Sequence, residues 1–472
     1  MKTSSHFSIE HATCWLAAGV LISVIWAASI SQTLAANYYV TTNGSDSSNG
    51  GASTPWRTLA KATATARAGD TVYVGGGTYY EQVVFNTPGS SGYPITFTAY
   101  PGQSPIITLA GGWPAGGGND GIVDINANYI VFEGFEVNNG NSPAIPTSCS
   151  HGIKVTGSYA AVINNTIDMI CASGIWIQSN YNLIQGNTVY DTSLQNYNGA
   201  GNNVWACAIA IQGYKNGNFL IGNMILNNTV YDNWGEGIYA FYGQSFVRII
   251  GNTVYNNWSL NIGLANAYNS IIANNLSYIM DPPSTMSTGA AIVITIDNDS
   301  IDPGPNTTWV YNNMIYGSEI FVAQFQNFSN VPIQNTSIYF NTVVNPGGDA
   351  LWIGGAQSGL SVVDNIFVGN GANPYYTIVA YASNNYWLTQ PLFTDGWISN
   401  LSNPSTDIIG NALPYLAQTP GSPAPGGLTA SWFQPLSNFP GRQKGIYWDP
   451  ARIDALGAPR PVSSPDIGAI QY

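Results

Sequence analysis

Charged residues are scarce in this sequence. Only 7% of its 472 residues are Asp, Glu, Lys or Arg, and the net charge is −13, whereas about a quarter of an average globular domain is charged. Binding of DNA or RNA needs clustered Lys and Arg, so the composition argues against a nucleic-acid partner. The 45% of hydrophobic residues is enough to fill a long core, which disfavours intrinsic disorder.

Histidine and cysteine are also rare, with three and four residues in the whole chain. Outside residues 1–36 they reduce to His151 and to Cys149, Cys171 and Cys207. A zinc site of His and Cys ligands cannot be assembled from this set, and a Ser-His-Asp triad would have to use His151. Acid–base and metal chemistry therefore falls mainly to carboxylates and to a few Lys and Arg residues.

The sequence contains one long apolar run, near its N-terminus. Residues 14–28 are almost wholly apolar, and the small-residue sequence Thr-Leu-Ala-Ala follows at 33–36, as in a cleavage site. Residues 1–36 are predicted to be a secretion signal, with an uncleaved membrane anchor as the alternative. No later segment is long and apolar enough to span a bilayer. We expect a secreted protein, extracellular or periplasmic, with no stable membrane insertion after signal cleavage.

A short phrase recurs along the middle of the chain: Asn-Asn-Thr or Gly-Asn-Thr followed by an aliphatic residue. Its clearest copies are at 164–167, 186–189, 227–230 and 251–254. Counted on the second Asn, the closest copies are 22 (165 to 187) and 24 (228 to 252) residues apart, a period typical of stacked repeats. Each copy sits on a short β-rich run without helical periodicity. The pattern predicts a parallel β-helix in which one Asn per coil forms a ladder along a corner.

The two ends of the chain beyond the leader carry a resemblance to a known family. The motifs are Tyr-Tyr-Val at 38–40, Asn-Gly-Ser-Asp at 43–46, Pro-Trp-Arg-Thr-Leu at 55–59, Ala-Gly-Asp-Thr-Val-Tyr-Val at 68–74, Pro-Ile-Thr-Phe at 94–97 and Pro-Asp-Ile-Gly-Ala-Ile at 465–470. They resemble the opening and closing segments of secreted right-handed parallel β-helix proteins of the pectate-lyase-like superfamily. The resemblance implies an all-β, right-handed parallel β-helix (solenoid) with an N-terminal capping helix and an irregular C-terminal cover.

The expected organisation has four parts. They are a secretion signal at 1–36, an N-terminal cap with the first coils at 37–110, the parallel β-helix repeats at 111–385 and the C-terminal cover at 386–472. The one convincing helix is predicted within 55–66. Apolar anchors of the cover are Trp432, Phe433, Phe439 and Trp448. A separate carbohydrate-binding module is the alternative for the last part.

A second register aligns the three cysteines of the repeats at one position of successive coils. Cys149, Cys171 and Cys207 each open a similar phrase, and Trp234 and Trp258 continue the series. The preferred interpretation is a stack of core thiols, because three cysteines cannot all pair. The alternative is a disulfide between Cys149 and Cys171, since adjacent coils are about 4.8 Å apart.

The same register predicts a surface column. Alternate side chains of a strand face outward, so Lys154, Trp176 and Tyr239 are expected to align, with Gln212 beside them. Aromatic rings pack on the C–H faces of sugars, and amides bond their hydroxyls. Trp176, Gln212 and Tyr239 are therefore candidate substrate-binding residues. The alternative is that exposed aromatics merely occupy a β-rich surface.

Carboxylates form the other candidate site. Asp191 and Asp232 each follow Val-Tyr and are expected one coil apart, where two carboxylates repel unless a cation lies between them. They are interpreted as a Ca2+ site, an acid–base pair or two solvated turn acids. Glu236 extends this acidic patch. Asp297 and Asp299 are candidate metal ligands in a second Ca2+ loop.

Three hypotheses follow for a protein that acts at a polysaccharide or cell-surface glycan. The first is a Ca2+-assisted polysaccharide lyase, with Lys154 as base and Asp191 and Asp232 on the metal. The second is a glycoside hydrolase that uses Asp232 with Glu236 or Asp191. The third is a non-enzymatic glycan-binding protein or adhesin whose aromatic column binds the glycan.

Overall fold

Three sheets of parallel strands make up the structure, which is a computed structural model. It describes residues 35–110, 112, 120–140, 149–199, 206–213, 219–280, 289–296, 306–323, 332–345, 348–354, 357–369, 372–375, 379–383, 385–387, 408–409 and 428–472. Each coil of the chain passes through the first, the second and then the third sheet before it returns to the first. The predicted right-handed parallel β-helix is confirmed.

The described strands divide among the sheets as follows. The first sheet has sixteen strands: Asn37–Val40, Thr71–Val74, Ile95–Ala99, Ile130–Glu133, Ala161–Ile163, Leu183–Gln185, Leu220–Ile221, Met224–Leu226, Gln244–Ser245, Arg248–Ile250, Ala267–Ala273, Asn306–Tyr311, Ile333–Tyr339, Gln357–Ser358, Leu360–Val363 and Val379–Ser383. The second sheet has thirteen: Gly77–Tyr79, Pro105–Thr108, Glu136–Asn138, Thr166–Asp168, Thr188–Tyr190, Thr229–Tyr231, Thr253–Tyr255, Leu276–Tyr278, Met314–Tyr316, Thr342–Val344, Ile366–Val368, Tyr386–Trp387 and Ile408–Ile409. The third sheet has eleven: Val83–Phe85, Gly121–Ile125, His151–Val155, Ile175–Ile177, Cys207–Gln212, Glu236–Phe241, Ile262–Ala265, Ile292–Thr295, Ile320–Val322, Leu351–Gly354 and Ala372–Tyr375.

A helix covers the N-terminal end of the core. It spans Leu59–Thr65, and Thr58 Oγ1 accepts a hydrogen bond from the Lys61 amide at 3.1 Å. The Glu81 carboxylate accepts from the first two helical amides at 2.9 and 3.0 Å, so donors that a helix start leaves unpaired are satisfied. The predicted helix is therefore confirmed, but it begins at residue 59 rather than 55. Trp56 is bridged to the first strand instead.

The other helical elements are short 3-10 turns. They are Leu194–Gly199, Ala430–Phe433 and Asp449–Ala451. No helix in the described ranges is both long and apolar enough to cross a membrane.

The predicted asparagine ladder lies at the corner between the first and second sheets. Asn187 donates to Asn228 Oδ1 from its side chain at 3.0 Å and from its backbone amide at 2.9 Å. The residue before each rung from Asn165 to Asn365 has positive φ, as at Asn164 (53°) and Gly186 (67°), a conformation that Gly and Asn tolerate best. This explains the repeated Asn-Asn and Gly-Asn phrases. The rungs, each at most 1% exposed, are Asn165, Asn187, Asn228, Asn252, Asn275, Asn313, Asn341, Asn365 and Asn385.

The C-terminal segment 428–472 covers the outer face of the second sheet over its last coils. Arg460, 4% exposed, donates to Asn312 Oδ1 at 2.9 Å and lies 4.2 Å from the centre of the Phe340 ring. The cover and the coils belong to one compact unit, Ala35–Tyr472. The apolar contact joins Trp432, Phe433, Phe439 and Ile467 of the cover to Val344 and Ile366 of the sheet.

The cysteines differ from the preferred interpretation. Cys149 and Cys171 form a disulfide, with Cα atoms 5.1 Å apart, so the stack of three core thiols is wrong. Cys207 lies outside their column: Ile209, two residues after it, pairs with Ile175, which is four residues after Cys171. The long segment before Cys207 conceals this shift in the sequence. Cys207 is buried and is not part of a disulfide.

Candidate functional site

The outer face of the third sheet carries the predicted column. Lys154 pairs with Trp176 on the next coil. Ala210 then links Trp176 to Tyr239. One coil earlier, Asp124 pairs with Lys154. Because Ile153 and Val155 lie in the core, alternation places this column on the outside of the coils.

An ion pair holds Lys154 at this face. Its Nζ lies 3.0 Å from Asp120 Oδ1, and the two side chains are 17% and 29% exposed. The same Nζ is 5.7 Å from the centre of the Trp176 indole, which is within cation–π range. Lys154 is the only Lys or Arg within the described strands of the third sheet.

Asp124 is fixed beside this pair. Its Oδ1 accepts from the Gly121 amide at 2.9 Å, and its Oδ2 accepts from Gln82 Nε2 at 2.8 Å. Burial raises the pKa of Asp124, the Asp120 charge raises it further, and the Gly121 hydrogen bond opposes the rise. The hydrogen bonds leave Asp124 with a fixed orientation next to Lys154.

Trp176 is held on two sides. His151 stacks on the indole with centroids 4.7 Å apart and planes 2° apart, and the indole Nε1 donates to Gln212 Oε1 at 2.7 Å. Burial, followed by the Lys154 charge, lowers the pKa of His151 to about 4, so its imidazole is neutral at pH 7. Its Nδ1 has no hydrogen-bond partner among the residues that the structure describes.

We name Gln82, Asp120, Asp124, His151, Lys154, Trp176 and Gln212 the third-sheet face.

Tyr239 belongs to the column, but its ring is not exposed enough for a sugar to pack against it. It is only 6% exposed, and a Cβ added to Gly263 on the next coil would be 2.5 Å from its ring. Phe241 stacks on Tyr239 with centroids 5.3 Å apart. The aromatic ring that stays half-buried beside Lys154 is therefore that of Trp176.

Asp191 and Asp232 lie at the end of neighbouring second-sheet strands. They follow Tyr190 and Tyr231, which pair in register and stack with centroids 5.2 Å apart. Burial raises the pKa of both acids. The Asp191 charge raises the pKa of Asp232 further, while a hydrogen bond from Asn256 lowers it. Asp191 and Asp232 therefore follow paired strands one coil apart, whereas Lys154 lies on a different sheet.

Two further acids accompany them. Asp168 Oδ2 accepts from the Tyr190 hydroxyl at 3.3 Å, and Glu136 Oε1 accepts from Asn138 Nδ2 at 2.7 Å. Burial and then the Glu136 charge raise the pKa of Asp168 to about 6, with a smaller rise from Asp191. Four carboxylates therefore lie on successive coils along the second sheet, at different positions of the strand register.

Glu236 is a buried residue of the third sheet. It pairs with Cys207, its side chain accepts from Cys207 Sγ at 3.5 Å, and it is 3% exposed. Asp297 and Asp299 lie outside the described residues. Within the part of the chain that is described, no group of three or more His, Cys, Asp and Glu side chains is arranged to hold a metal ion.

A family pattern spans this region of the chain. The family described as "Pel9A-like, right handed beta helix region" matches residues 38–275, half of the chain. The chain belongs to this family. All residues of the third-sheet face and the acids Asp168, Asp191 and Asp232 fall inside the β-helix region that the family matches.

Solved structures share the fold of this Pel9A-like chain. Pectate lyase Pel9A is 18% identical, covering 93% of this chain and 97% of its own, with a TM-score of 0.57. A complex of XylC with xylose is 12% identical, covering 92% and 98%, with a TM-score of 0.54. A rhamnogalacturonan lyase is 17% identical, covering 74% and 87%, with a TM-score of 0.51. At these identities the likeness shows the fold alone.

One curated relative is similar in sequence over a short stretch. The uncharacterized protein YwoF of Bacillus subtilis (strain 168) is 42% identical over 99 residues, 20% of this chain and 21% of its own length. The chain therefore matches about a fifth of that relative.

Sequence reasoning missed several of these acids. Asp124 was detectable, because the strand Gly121–Ile125 repeats the pattern of His151–Val155 one coil earlier. Asp168 was detectable as the residue that replaces Tyr190 in the repeated phrase. The pairing of Asp120 with Lys154 has no sequence signal, since Asp120 precedes its strand.

Proposed function

We propose that this protein is secreted, extracellular or periplasmic, and acts on a polysaccharide bound along the third-sheet face. The observation that carries the proposal is the position of Lys154, the only Lys or Arg in the described strands of that sheet, between Asp120 and Trp176. The fold likeness to proteins named pectate lyase and rhamnogalacturonan lyase supports a polysaccharide as the substrate class.

The reaction that fits Lys154 is β-elimination from a uronate-containing glycan. Its unprotonated Nζ would take the proton from the carbon beside the uronate carboxyl, and the electron pair of that C–H bond would form a carbon–carbon double bond. The glycosidic oxygen would leave the neighbouring carbon with its bonding pair and take a proton from water, which completes the alcohol. The Lys154 Nζ is held by Asp120 Oδ1 at 3.0 Å, so it must leave this ion pair to reach the proton of the substrate. We infer that substrate binding separates Lys154 from Asp120.

Trp176 supplies the adjacent sugar contact in this proposal. Its indole is oriented by His151 on one side and by Gln212 through Nε1, so little side-chain entropy remains to be lost when a sugar ring packs against it. Gln212 acts mainly through this orientation, and Tyr239 supports the column from a buried position.

A Ca2+ ion remains part of the proposal, with Asp191 and Asp232 as its protein ligands. Burial raises the pKa of both acids, and the Asp191 charge raises that of Asp232 further; a bound cation would offset this cost of the charged forms. Ca2+ takes six to eight oxygen ligands, so backbone, water and substrate would complete the set. A bound Ca2+ would neutralise uronate carboxylates. We assign it to substrate binding, because these acids and Lys154 belong to different sheets.

A screen of plant, algal and bacterial polysaccharides tests the proposal. Each is incubated with and without Ca2+ and chelator, and products are followed by ultraviolet absorption and by new reducing ends. Unsaturated products are expected. Reducing ends without unsaturation would instead indicate a hydrolase that uses Asp232 with Glu236 or Asp191, and binding without turnover would indicate a glycan-binding protein or adhesin. N-terminal sequencing of protein from the medium, beginning near residue 37, tests secretion.

A further inference from the structure

Three tyrosines form a ladder at the turn that joins the third sheet to the first. Tyr129, Tyr159 and Tyr181 stack on successive coils, with centroids 4.9 and 5.1 Å apart and planes 6° and 11° apart. Tyr159 and Tyr181 are 46% and 45% exposed. We name these three residues the tyrosine ladder.

The backbone of the tyrosine ladder is strained. Each of its residues has φ of 58°, and the next three coils place Gly222 (72°), Phe246 (56°) and Asn269 (48°) at the same turn. Bulky residues are rare outliers in this left-handed region, which Gly and Asn adopt at lower cost. Hydrogen bonds between coils impose the conformation, as where the Tyr159 amide donates to the Asn180 carbonyl at 3.1 Å. Tyrosine is thus an unfavourable choice for folding at three successive positions.

Packing between the rings explains only in part why tyrosines occupy this turn. The stacked rings cover one another's faces, and a Cβ on Gly222 would lie 2.6 Å from the Tyr181 ring. The outer edges of the rings remain exposed, and the ladder faces solvent rather than the core. Strain that the surrounding structure maintains at an exposed position is a recognised mark of function.

The surroundings of the tyrosine ladder are uncharged. Segments 126–130, 156–161 and 178–183 contain no charged residue. Amides and hydroxyls flank the rings, as where Thr156 Oγ1 donates to Asn126 Oδ1 at 2.9 Å and Asn128 Oδ1 accepts from the Ser158 amide at 2.8 Å. Phenol, amide and hydroxyl groups together match the hydroxyl-rich, uncharged surface of a glycan.

The tyrosine ladder adjoins the third-sheet face. Tyr159 lies on the same coil as Lys154, and Tyr181 lies on the same coil as Trp176, each five residues further along the chain. We infer that the tyrosine ladder is a second glycan contact, which retains a long polysaccharide beside the third-sheet face. This inference rests on the proposed function.

Asparagine substitution separates binding from folding here. In the double variant Tyr159→Asn/Tyr181→Asn the strain is relieved, so the melting temperature is expected to stay equal or rise. Retention of the protein in gels that contain the polysaccharide substrate is expected to fall at least fivefold, while turnover of short soluble oligosaccharides stays unchanged. Tyr80→Asn, which removes another exposed tyrosine (72% exposed), is the matched control and should change neither property.

Unchanged retention of the double variant, with or without a lower melting temperature, overturns the inference and makes the tyrosine ladder a packing feature. If the double variant does not fold, Tyr159→Phe/Tyr181→Phe keeps the stack and should still weaken retention; unchanged retention overturns the inference. A dimer that the substitutions dissociate in sedimentation would show that the ladder joins two copies, which also overturns it. If the parent protein binds and cleaves no polysaccharide, the proposed function itself fails.

Discussion

His151 and Trp176 stack across two adjacent coils with ring centroids 4.7 Å apart and planes 2° apart. The disulfide between Cys149 and Cys171 joins the same coils just upstream. Lys154 lies on the first of these coils and pairs with Trp176 through the sheet. A ring contact, a covalent bond and backbone hydrogen bonds therefore fix Lys154 relative to Trp176, as a preorganised site requires.

Replacement of Lys154 tests its role as base. Lys154→Ala should lower kcat for unsaturated products by about 100-fold or more. The free energy of unfolding should change by no more than about 1 kcal/mol, because the ion pair with Asp120 is partly exposed. Lys444→Ala, at an exposed position of the cover, is the control. Full activity in Lys154→Ala would remove Lys154 from the mechanism.

Acid should destabilise the protein through His151. Its pKa falls from 6.5 to about 4 in the folded protein, because burial and the Lys154 charge disfavour the imidazolium. Between these values the unfolded chain binds the proton and the folded chain does not, so stability declines as the pH drops from 6.5 towards 4. The loss attributable to His151 reaches roughly 3 kcal/mol at pH 4.

His151→Phe provides the comparison, since it keeps a ring against Trp176 and removes the titration. Denaturant unfolding at pH 4 and pH 7.5 should show that the wild type loses more stability than the variant. Carboxylates that titrate in the same range contribute to both proteins and cancel in the difference. Equal losses would contradict the prediction.

Removal of one rung of the asparagine ladder should be costly. The Asn228 side chain accepts from the Asn187 amide and donates to the Ile184 carbonyl and to Asn252 Oδ1. Asn228→Ala leaves these buried groups unpaired, which we expect to lower the free energy of unfolding by roughly 3 kcal/mol. Urea unfolding measures the loss. Asn126→Ala, at an exposed turn, should cost less than about 1 kcal/mol, and similar losses in both variants would contradict the ladder's role.

The disulfide predicts a thiol count. On unfolding without reductant, a chain of residues 37–472 should expose one thiol, that of Cys207, because Cys149 and Cys171 are paired. Three reactive thiols would contradict the bond. The substitutions Cys149→Ser and Cys171→Ser together should lower the free energy of unfolding by about 3 kcal/mol, as expected for a loop of 22 residues.

The repeats made much of the register predictable. Successive coils place similar residue types at the same position of the repeat. The Asn ladder and the alignment of Lys154 with Trp176 and Tyr239 could therefore be predicted by counting residues. The alignment by residue counting failed at Cys207. The long segment before Cys207 interrupts the coil period, and the apolar strand Cys207–Gln212 can be aligned with the preceding coil at either of two positions that differ by two residues. Periodicity locates a residue only while the period is unbroken.

The sequence by itself determined the architecture, since the coil period, the Asn rungs and the alternation of side chains are local properties that stacking repeats. Only the tertiary structure decided which acids meet which partners. It separates Asp191 and Asp232 from Lys154 on different sheets, pairs Lys154 with Asp120, and buries Tyr239 against Gly263. These outcomes depend on how each coil closes and on how neighbouring side chains cover one another, and no pattern along the chain encodes either.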